Sequence, residues 1–537
     1  MQKEHFNAVF RASLTRRENM LAAGALVCLE GSVLHFIEID RFGGLQNVPR
    51  RFPLGGTPVR VLYSERLNKL VTLSVEVEVT RPQQTIGNTT RLGKRALRPV
   101  ITFLEPDPEN AAHESQGSGR HANDADEDHM QIDSEPLPAP DTSSRSTEDA
   151  NRQVLEQRSG ERFLGITEWI PKISGNEYHT LIINTMVPAT ARNDPSGRLL
   201  LYAVIHKEGE QTKAVLKKPV SMDAPVYSVI PYNDSSSIIY CCGEELWMIS
   251  LTMEPSGLKW RTPQKVAMRS PARHLSIDKN YIYASTSNES LQVYKIEGAR
   301  NEIVYYCGDQ MPRPALHHVN LPEHSMVVVT DMTCSITGLW QPPQRRSDSA
   351  MLTVFEAALP KAIVRLHCVR PPPWYQALNV RFGSTIVGVT SDQSQSMVGT
   401  ATDGTVYQVD PVEKGWRLLK FIQNLCDRHP LIRPFSFSDP ENKRHPFPLT
   451  DDPHLMHIDG DILQRMMERG GERLLREMLD QDTPDQEDEE VRFQDFATVK
   501  ERWESFKGLA NEIIDVDGED WFSTVVRWTG CALRSVL

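Results

Sequence analysis

Met397-Val-Gly-Thr-Ala-Thr-Asp-Gly-Thr-Val-Tyr-Gln-Val409 is followed six residues later by Trp416-Arg-Leu-Leu-Lys-Phe-Ile-Gln-Asn-Leu425. The first run, rich in β-branched residues and divided at Asp403-Gly404, reads as strands around a turn. In the second, Trp416, Leu419, Ile422 or Gln423, and Cys426 recur at helical spacing until Pro430 and Pro434 stop the pattern. A β domain therefore ends where a helical one begins, an order that points to a scaffold rather than to an enzyme.

Upstream of this junction the chain repeats itself. Val226 to Ile230, Ile238 to Cys242 and Leu246 to Ser250 are three short β-like runs separated by turn residues. His274 to Ile277, Tyr281 to Ser285 and Leu291 to Ile296 form the next set; Leu316 to Val319, Met326 to Thr330 and Ser335 to Leu339 follow. A further set begins at Ile363 to Leu366 and resumes at Ser396 after the insertion Arg370-Pro-Pro-Pro-Trp374. The sets start at 226, 274, 316 and 363, steps of 48, 42 and 47 residues. β units with a period in the forties are the mark of a propeller blade, which buries both faces only when neighbours stack on it. Pro58 to Tyr63, Leu70 to Val79, Val100 to Leu104, His179 to Met186 and Arg198 to Ile205 continue the pattern less regularly. Residues 50–410, without the window 105–160, amount to 305 residues, enough for about seven blades at this period. A large β-sandwich is the competing reading, but it demands no steady period. The expectation is thus a mainly β fold: a seven-bladed, WD-like β-propeller over 50–410, followed by a small α-helical C-terminal domain over 411–537.

Charge is unevenly placed. Of the net −12 over 537 residues, residues 105–160 hold 14 acids against 4 arginines, in a Ser-, Pro- and Ala-rich segment expected to be disordered because it has too little apolar surface to offset chain entropy. Just before it, Arg81, Arg91, Lys94, Arg95 and Arg98 form a basic run without an acid. Together with Trp374 these are candidate nucleic-acid or partner contacts, although without aromatic partners the run also reads as a solvated loop. The 8 cysteines show no C-x-x-C pair, and no apolar run approaches the ~18 residues of a membrane span, which with the lack of a leader pattern leads to the expectation of an intracellular, soluble protein.

In the tail, Asp459 or Asp461 suits the N-cap of a helix bearing Leu463, Met467, Leu474 and Met478, with a break at Gly470-Gly471. Residues 480–490 hold 7 acids and no base, an acidic linker; Phe493, Phe496, Val499, Trp503, Phe506 and Ala510 give a further amphipathic helix. His454 and His457 beside Asp459 and Asp461 lack a second ligand pair at finger-like spacing. Asp515-Val-Asp-Gly-Glu-Asp520 is similar to a calcium loop but has its glycine at the wrong offset, and it reads better as the opening of the last helix. No nucleophile elbow, phosphate loop, H-E-x-x-H or dinucleotide fingerprint occurs, so no catalytic residue, cofactor or metal is assigned.

Phe52-Pro-Leu-Gly-Gly-Thr-Pro-Val-Arg-Val-Leu-Tyr63, Ala224-Pro-Val-Tyr-Ser-Val229, Gly399-Thr-Ala-Thr-Asp-Gly-Thr-Val-Tyr407, the Trp416 helix and Ile458-Asp-Gly-Asp461, in that order, resemble the C-terminal region of the family of the damage-specific DNA-binding protein large subunit and the cleavage and polyadenylation specificity factor A subunit. The resemblance implies a nuclear multi-propeller scaffold of which this chain carries the third propeller and the helical domain. On that reading residues 1–49 are remnant strands linking to a preceding propeller, the first two propellers are lacking, and with them the surface that recruits a cullin ubiquitin-ligase scaffold. The chain would then be a truncated gene product or a divergent fragment. The function implied is a non-enzymatic adaptor presenting propeller loops to protein partners in DNA-repair or ubiquitin-ligase assemblies, with DNA or RNA as a further partner class and neither membrane nor small-molecule substrate. The alternative is an mRNA-processing subunit of the polyadenylation or splicing branch; a propeller hydrolase is a weaker third.

Overall fold

In the computed structural model, the described residues are 8–12, 25–30, 33–38, 48–79, 95–105, 152–173, 175–191, 193–206, 211–232, 236–254, 257–261, 263–298, 301–341, 350–369, 381–382, 385–386, 396–412, 415–432, 457–480, 498–514 and 520–533. The protein is mainly β, a propeller arrangement of sheets followed by 5 helices.

The chain opens with one four-stranded sheet, β1 (Ala8–Ala12), β2 (Ala25–Glu30), β3 (Val33–Glu38) and β4 (Val48–Pro53). Six more follow between Thr57 and Val409. β5 (Thr57–Ser64), β6 (Lys69–Val79), β7 (Arg95–Leu104) and β8 (Arg152–Val154) form one. The next has β9 (Arg162–Trp169), a small hairpin β10 (Lys172–Ile173) and β11 (Asn176–Glu177) outside the sheet, then β12 (Thr180–Met186), β13 (Gly197–Ile205) and β14 (Lys213–Met222). β15 (Val226–Pro231), β16 (Ser237–Cys242) and β17 (Glu245–Glu254) come next, with β18 (Gly257–Trp260) and β19 (Gln264–Ala267) both pairing with β17. Then follow β20 (Ala272–Asp278), β21 (Tyr281–Thr286), β22 (Leu291–Glu297) and β23 (Glu302–Gly308), and after them β24 (Ala315–Leu321), β25 (Met326–Asp331), β26 (Ser335–Trp340) and β27 (Leu352–Ala358). The last sheet is three-stranded: β28 (Ile363–Val369), then, past the hairpin β29 (Arg381–Phe382) and β30 (Thr385–Ile386), β31 (Ser396–Ala401) and β32 (Val406–Val409).

All pairings within these sheets are antiparallel, mostly between chain neighbours, with β9–β12, β17–β19 and β28–β31 as the exceptions, and the sheets stack side by side through their first strands. β5 lies against β9, β9 against β15, β15 against β20, β20 against β24, and β24 against β28. β1 lies beside both β28 and β5. Burial grades outward. Every residue of β16 and β31 is buried, because a middle strand has a neighbouring sheet on each face. The outer strands β14 and β19 alternate exposed with covered residues, as strands with one wet face do. The hydrophobic core is accordingly divided between the sheets. Val71, Leu73 and Phe103 meet Phe163, Leu181 and Leu200 in one interface; Ile239, Leu246 and Met248 meet Leu275, Ile282 and Tyr294 in another.

Six sheets lie within 50–410, one fewer than the length and period implied. The division by period went astray because strands β14, β19, β23 and β27 and long connections make the observed units unequal. Residues 152–160, inside the segment expected to lack order, pair with β7 as β8 and form the turn before Glu161; the rest of that segment, from 106 to 151, lies outside the described residues. Gln153 on β8 clips this edge to the next sheet: its side chain both donates to the Ala214 carbonyl and accepts from the Ala214 N–H.

The helices are α1 (Trp416–Arg428), α2 (Gly460–Glu468), α3 (Glu472–Asp480), α4 (Val499–Asn511) and α5 (Trp521–Ala532). α1 is the core helix, with Leu418, Phe421, Ile422 and Cys426 packed among Leu463, Leu475, Phe506 and Trp528 of the other four. Its polar residues are used as ties. Lys420 Nζ donates to the His457 carbonyl at 2.7 Å, and Gln423 Oε1 accepts from the Asp459 N–H at 2.9 Å. Asp459 caps α2, accepting from the N–H groups of Asp461 and Ile462, so of the two expected caps the first is used. The buried methionine of α2 is Met466, with Met467 only partly covered, since the Gly470-Gly471 break puts α2 and α3 in different helical phases. Phe493, Phe496 and residues 481–490 of the acidic linker lie outside the described residues. No described helix is long and apolar enough to cross a membrane.

The junction between the two parts turns on Gly415. Its φ is +74°, a left-handed backbone that favours glycine, and a Cβ there would lie 2.4 Å from Trp528 and 2.6 Å from Ile513. Gly415→Ala combines backbone strain with overpacking and should cost about 2–4 kcal/mol. Thermal unfolding followed by tryptophan fluorescence checks this: an unchanged midpoint would mean that the junction is not tightly packed.

Candidate functional site

All six first strands between Thr57 and Val369 carry the same irregularity near their start. Register slips between Pro58 and Arg60, Phe163 and Gly165, Val226 and Ser228, Ala272 and His274, Ala315 and His317, and Ile363 and Arg365. A bulge adds one residue and bends the strand, as a strand crowded against its neighbours at the axis requires. It also sets Arg60, Gly165, Ser228, His274, His317 and Arg365 at equivalent positions on the inner strands. Gly165 is the residue tolerated where a Cβ would meet Asn184 Oδ1 at 2.6 Å. Three of the others belong to a basic cluster.

His274 on β20 stacks on His317 of β24 with ring centroids 3.7 Å apart and tilts against His318 at 4.5 Å. His367 on β28 stands 5.9 Å from His317. His318 is locked: its Nε2 is 2.7 Å from Ser276 Oγ, and its Nδ1 is 2.6 Å from Ser285 Oγ and 3.3 Å from His274 Nδ1. His317 Nδ1 is buried and has no hydrogen-bond partner. Burial holds all four imidazoles neutral. It pushes His318 down to about 3 and, with the nearby Arg60 charge, His367 to about 4. His274 and His317 lie well below the ordinary histidine range, through burial first, then because neighbouring histidines would repel one another if protonated, and through the charge of Arg60. Arg60 itself is pushed by burial to about 10.

Two other sets of buried polar groups are paired and tie strands together. Glu161 accepts from Arg198 Nε at 2.7 Å, from Thr185 Oγ1 at 2.6 Å and from the Arg158 N–H at 2.9 Å. Burial works to raise its pKa, yet these hydrogen bonds outweigh it and keep the carboxylate below its ordinary range. Arg313 bridges Asp309 and Glu356, ionic links that join the β23–β24 connection to β27.

Arg81, Arg91, Lys94 and Trp374 lie outside the described residues. Arg95 begins β7 opposite Val79, and the exposed Arg98 pairs with Glu78 at 2.7 Å, so its charge is partly spent within the sheet. His454 lies outside the described residues; burial pushes His457 down to about 4, and its carbonyl and Asp459 are engaged as helix ties and cap. Of Asp515 to Asp520, only Asp520 is described, and its carbonyl accepts from Thr524 at the start of α5. Among the described residues no group of His, Cys, Asp and Glu is placed to hold a metal ion.

The histidine cluster escaped sequence reasoning, which searched for dense charge rather than for periodic recurrence. The signal was present: Pro271-Ala-Arg-His274 and Pro314-Ala-Leu-His317 put the same residues at the same point of successive repeats.

The cluster predicts a pH dependence. A histidine at about 6.5 in the unfolded chain and far lower in the fold stabilises fully above pH 6.5, and that stability is lost as pH falls from there toward the folded value. Each of the four should cost about 1.3 kcal/mol between pH 7.5 and 5.5. Urea unfolding at both pH values checks this: His367→Gln should lessen the drop by about that amount, whereas an identical drop would mean that His367 is not held neutral.

Among known proteins, the chain matches no family model and no curated protein.

Proposed function

We propose that this protein is a non-enzymatic propeller scaffold of the damage-binding type, a nuclear adaptor that brings proteins together. The observation that carries the reading is the junction. The last sheet passes through Gly415 directly into α1, and the Ile458-Asp-Gly-Asp461 segment caps α2 against that helix, so two of the stretches on which the resemblance rests meet at one packed interface. A rigid ring with a helical domain fixed at its end offers loops and outer strands rather than a reactive cleft. Val304 and Tyr305 on β23, Leu352 and Val354 on β27, and Met311 and Met332 on the connecting loops are exposed apolar positions of the kind partners cover.

The ring on this reading has seven blades, with β1–β4 as the seventh. Its support is that β1 lies beside both β28 and β5. Residues 1–53 then close the propeller itself instead of linking back to an earlier one.

Two experiments test these statements. Removing residues 1–53 should open the ring, lowering the thermal midpoint by ten degrees or more and promoting aggregation, in proportion to the two sheet faces exposed; a shortened chain as stable as the full one refutes the closure. Affinity purification from nuclear extract with mass spectrometry should recover DNA-repair or ubiquitin-ligase components. Polyadenylation or splicing subunits in their place would move the protein to the RNA-processing branch and sink the damage-binding reading.

A further inference from the structure

Among the described residues, the inner rim gathers several basic groups. Arg60 on β5, His274 on β20, His317 on β24 and His367 on β28 come from four different sheets. Arg60, His274 and His317 share the same post-bulge position, and the charge of Arg60 is felt by all three imidazoles. Arg60 makes no ion pair with a described carboxylate, and burial alone accounts for its lowered pKa. On the far side, His318 is held by Ser276 and Ser285, with Tyr283 at 6.3 Å, and Asn320 donates to Ser276 at 3.4 Å, so these groups are a neutral backing.

Desolvating even part of a guanidinium without a paired carboxylate is unfavourable, and Arg60 is partly covered. The stacked imidazoles can pack as flat neutral rings; Arg60 has no such escape, since it stays protonated at any physiological pH. His317 Nδ1 adds a buried nitrogen without a partner, itself a cost of about 1–3 kcal/mol. Both debts are settled by one kind of occupant. A cation is repelled by Arg60, and a carboxylate offers two oxygens on one edge, matched to a single fork. A phosphate group presents oxygens in several directions, as donors arriving from four strands require.

We infer that the inner rim of the propeller is an oxyanion site that takes a phosphate group, gripped by the Arg60 guanidinium and hydrogen-bonded by His274, His317 and His367.

Binding is coupled to protons. The bound anion supplies the negative charge the empty site lacks, which raises the imidazole pKa values toward or above their ordinary range. Phosphate binding therefore takes up protons, and affinity rises as pH falls through the window between the empty and the occupied values, up to tenfold per pH unit for each proton taken. The inference does not depend on the scaffold reading, because it concerns the channel and not the loops.

Isothermal titration calorimetry of the full chain with inorganic phosphate and with inositol hexakisphosphate, at pH 6.0 and 8.0, tests it. Binding at least tenfold tighter at pH 6.0, with proton uptake revealed by buffers of different ionisation enthalpy, is the expected result. Equal affinities for the two probes identify free phosphate as the ligand; a hundredfold preference for the inositol compound identifies a phosphorylated small molecule. Arg60→Gln should lose at least tenfold in affinity while raising the thermal midpoint of the phosphate-free protein, since it removes a partly desolvated charge without an ion-pair partner among the described residues; a purely structural arginine would lower that midpoint. His317→Gln should weaken binding and flatten its pH dependence, and Arg98→Gln should change neither. The inference is overturned by absence of binding to both probes at pH 6.0, or by binding that Arg60→Gln and His317→Gln leave intact.

Discussion

Middle strands of the propeller sheets, such as β16 and β31, are buried on both faces, and from this everything else follows. A strand such as Ser237–Cys242, with all residues covered, cannot exist in a sheet exposed to water on one side. At about 25 cal/mol per Å² of apolar surface, leaving one face of a four-stranded sheet uncovered would forfeit a large part of a stability margin that for most domains is about 5–15 kcal/mol. Stacking is therefore obligatory, and its energy resides in interfaces between successive sheets rather than in any sheet by itself. The separate apolar clusters that join neighbouring sheets are the direct expression of this.

Stacking also dictates what happens at the axis. Sheets that pack through their first strands crowd those strands together, and the repeated bulge near each start relieves the crowding by bending the strand. The residue just after the bulge is placed by geometry, whatever its chemistry, which is why Gly165, Ser228 and His274 occupy equivalent positions. Polar ties then secure the outer parts: Gln153 reaching Ala214, Glu161 holding Arg198, Arg313 joining Asp309 to Glu356. These groups sit between strands or sheets with their charges matched, unlike Arg60 at the rim.

The parts of this architecture legible in the sequence are those governed by burial. Three strands per repeat stood out because they are continuous apolar runs, and α1 stood out by its spacing. The outermost strands, Glu302–Gly308 and Leu352–Ala358, fall outside the three runs of each repeat; they expose residues such as Val304, Tyr305, Leu352 and Val354, although Ile303 to Cys307 is itself an apolar run. The start of β8 at Arg152 was hidden by the acidic composition of the residues before it, and the count of sheets suffered from the same unequal connections. The basic run Arg81–Arg98 drew attention through charge density, a property that solvent-exposed loops and edges acquire easily. Buried imidazoles separated by a whole repeat leave no local density and become visible only when the repeats are aligned.

That contrast bears on why the rim is built as it is. Neutral histidine is a flat aromatic ring that can stack, so His274 on His317 is compatible with a crowded axis, and Ser276 and Ser285 satisfy His318 at small cost. A guanidinium on the neighbouring wall has the opposite effect: it opposes protonation of every imidazole it faces and adds its own desolvation. If the rim served packing alone, a residue of the kind found at Gly165 or Ser228 would fill the same post-bulge position without either penalty. Arg60 thus sets the electrostatic character of the channel. Burial keeps the histidines neutral and Arg60 reinforces this, whereas an anion drawn to the guanidinium would favour their protonation, so the charge of the cluster depends on its occupant.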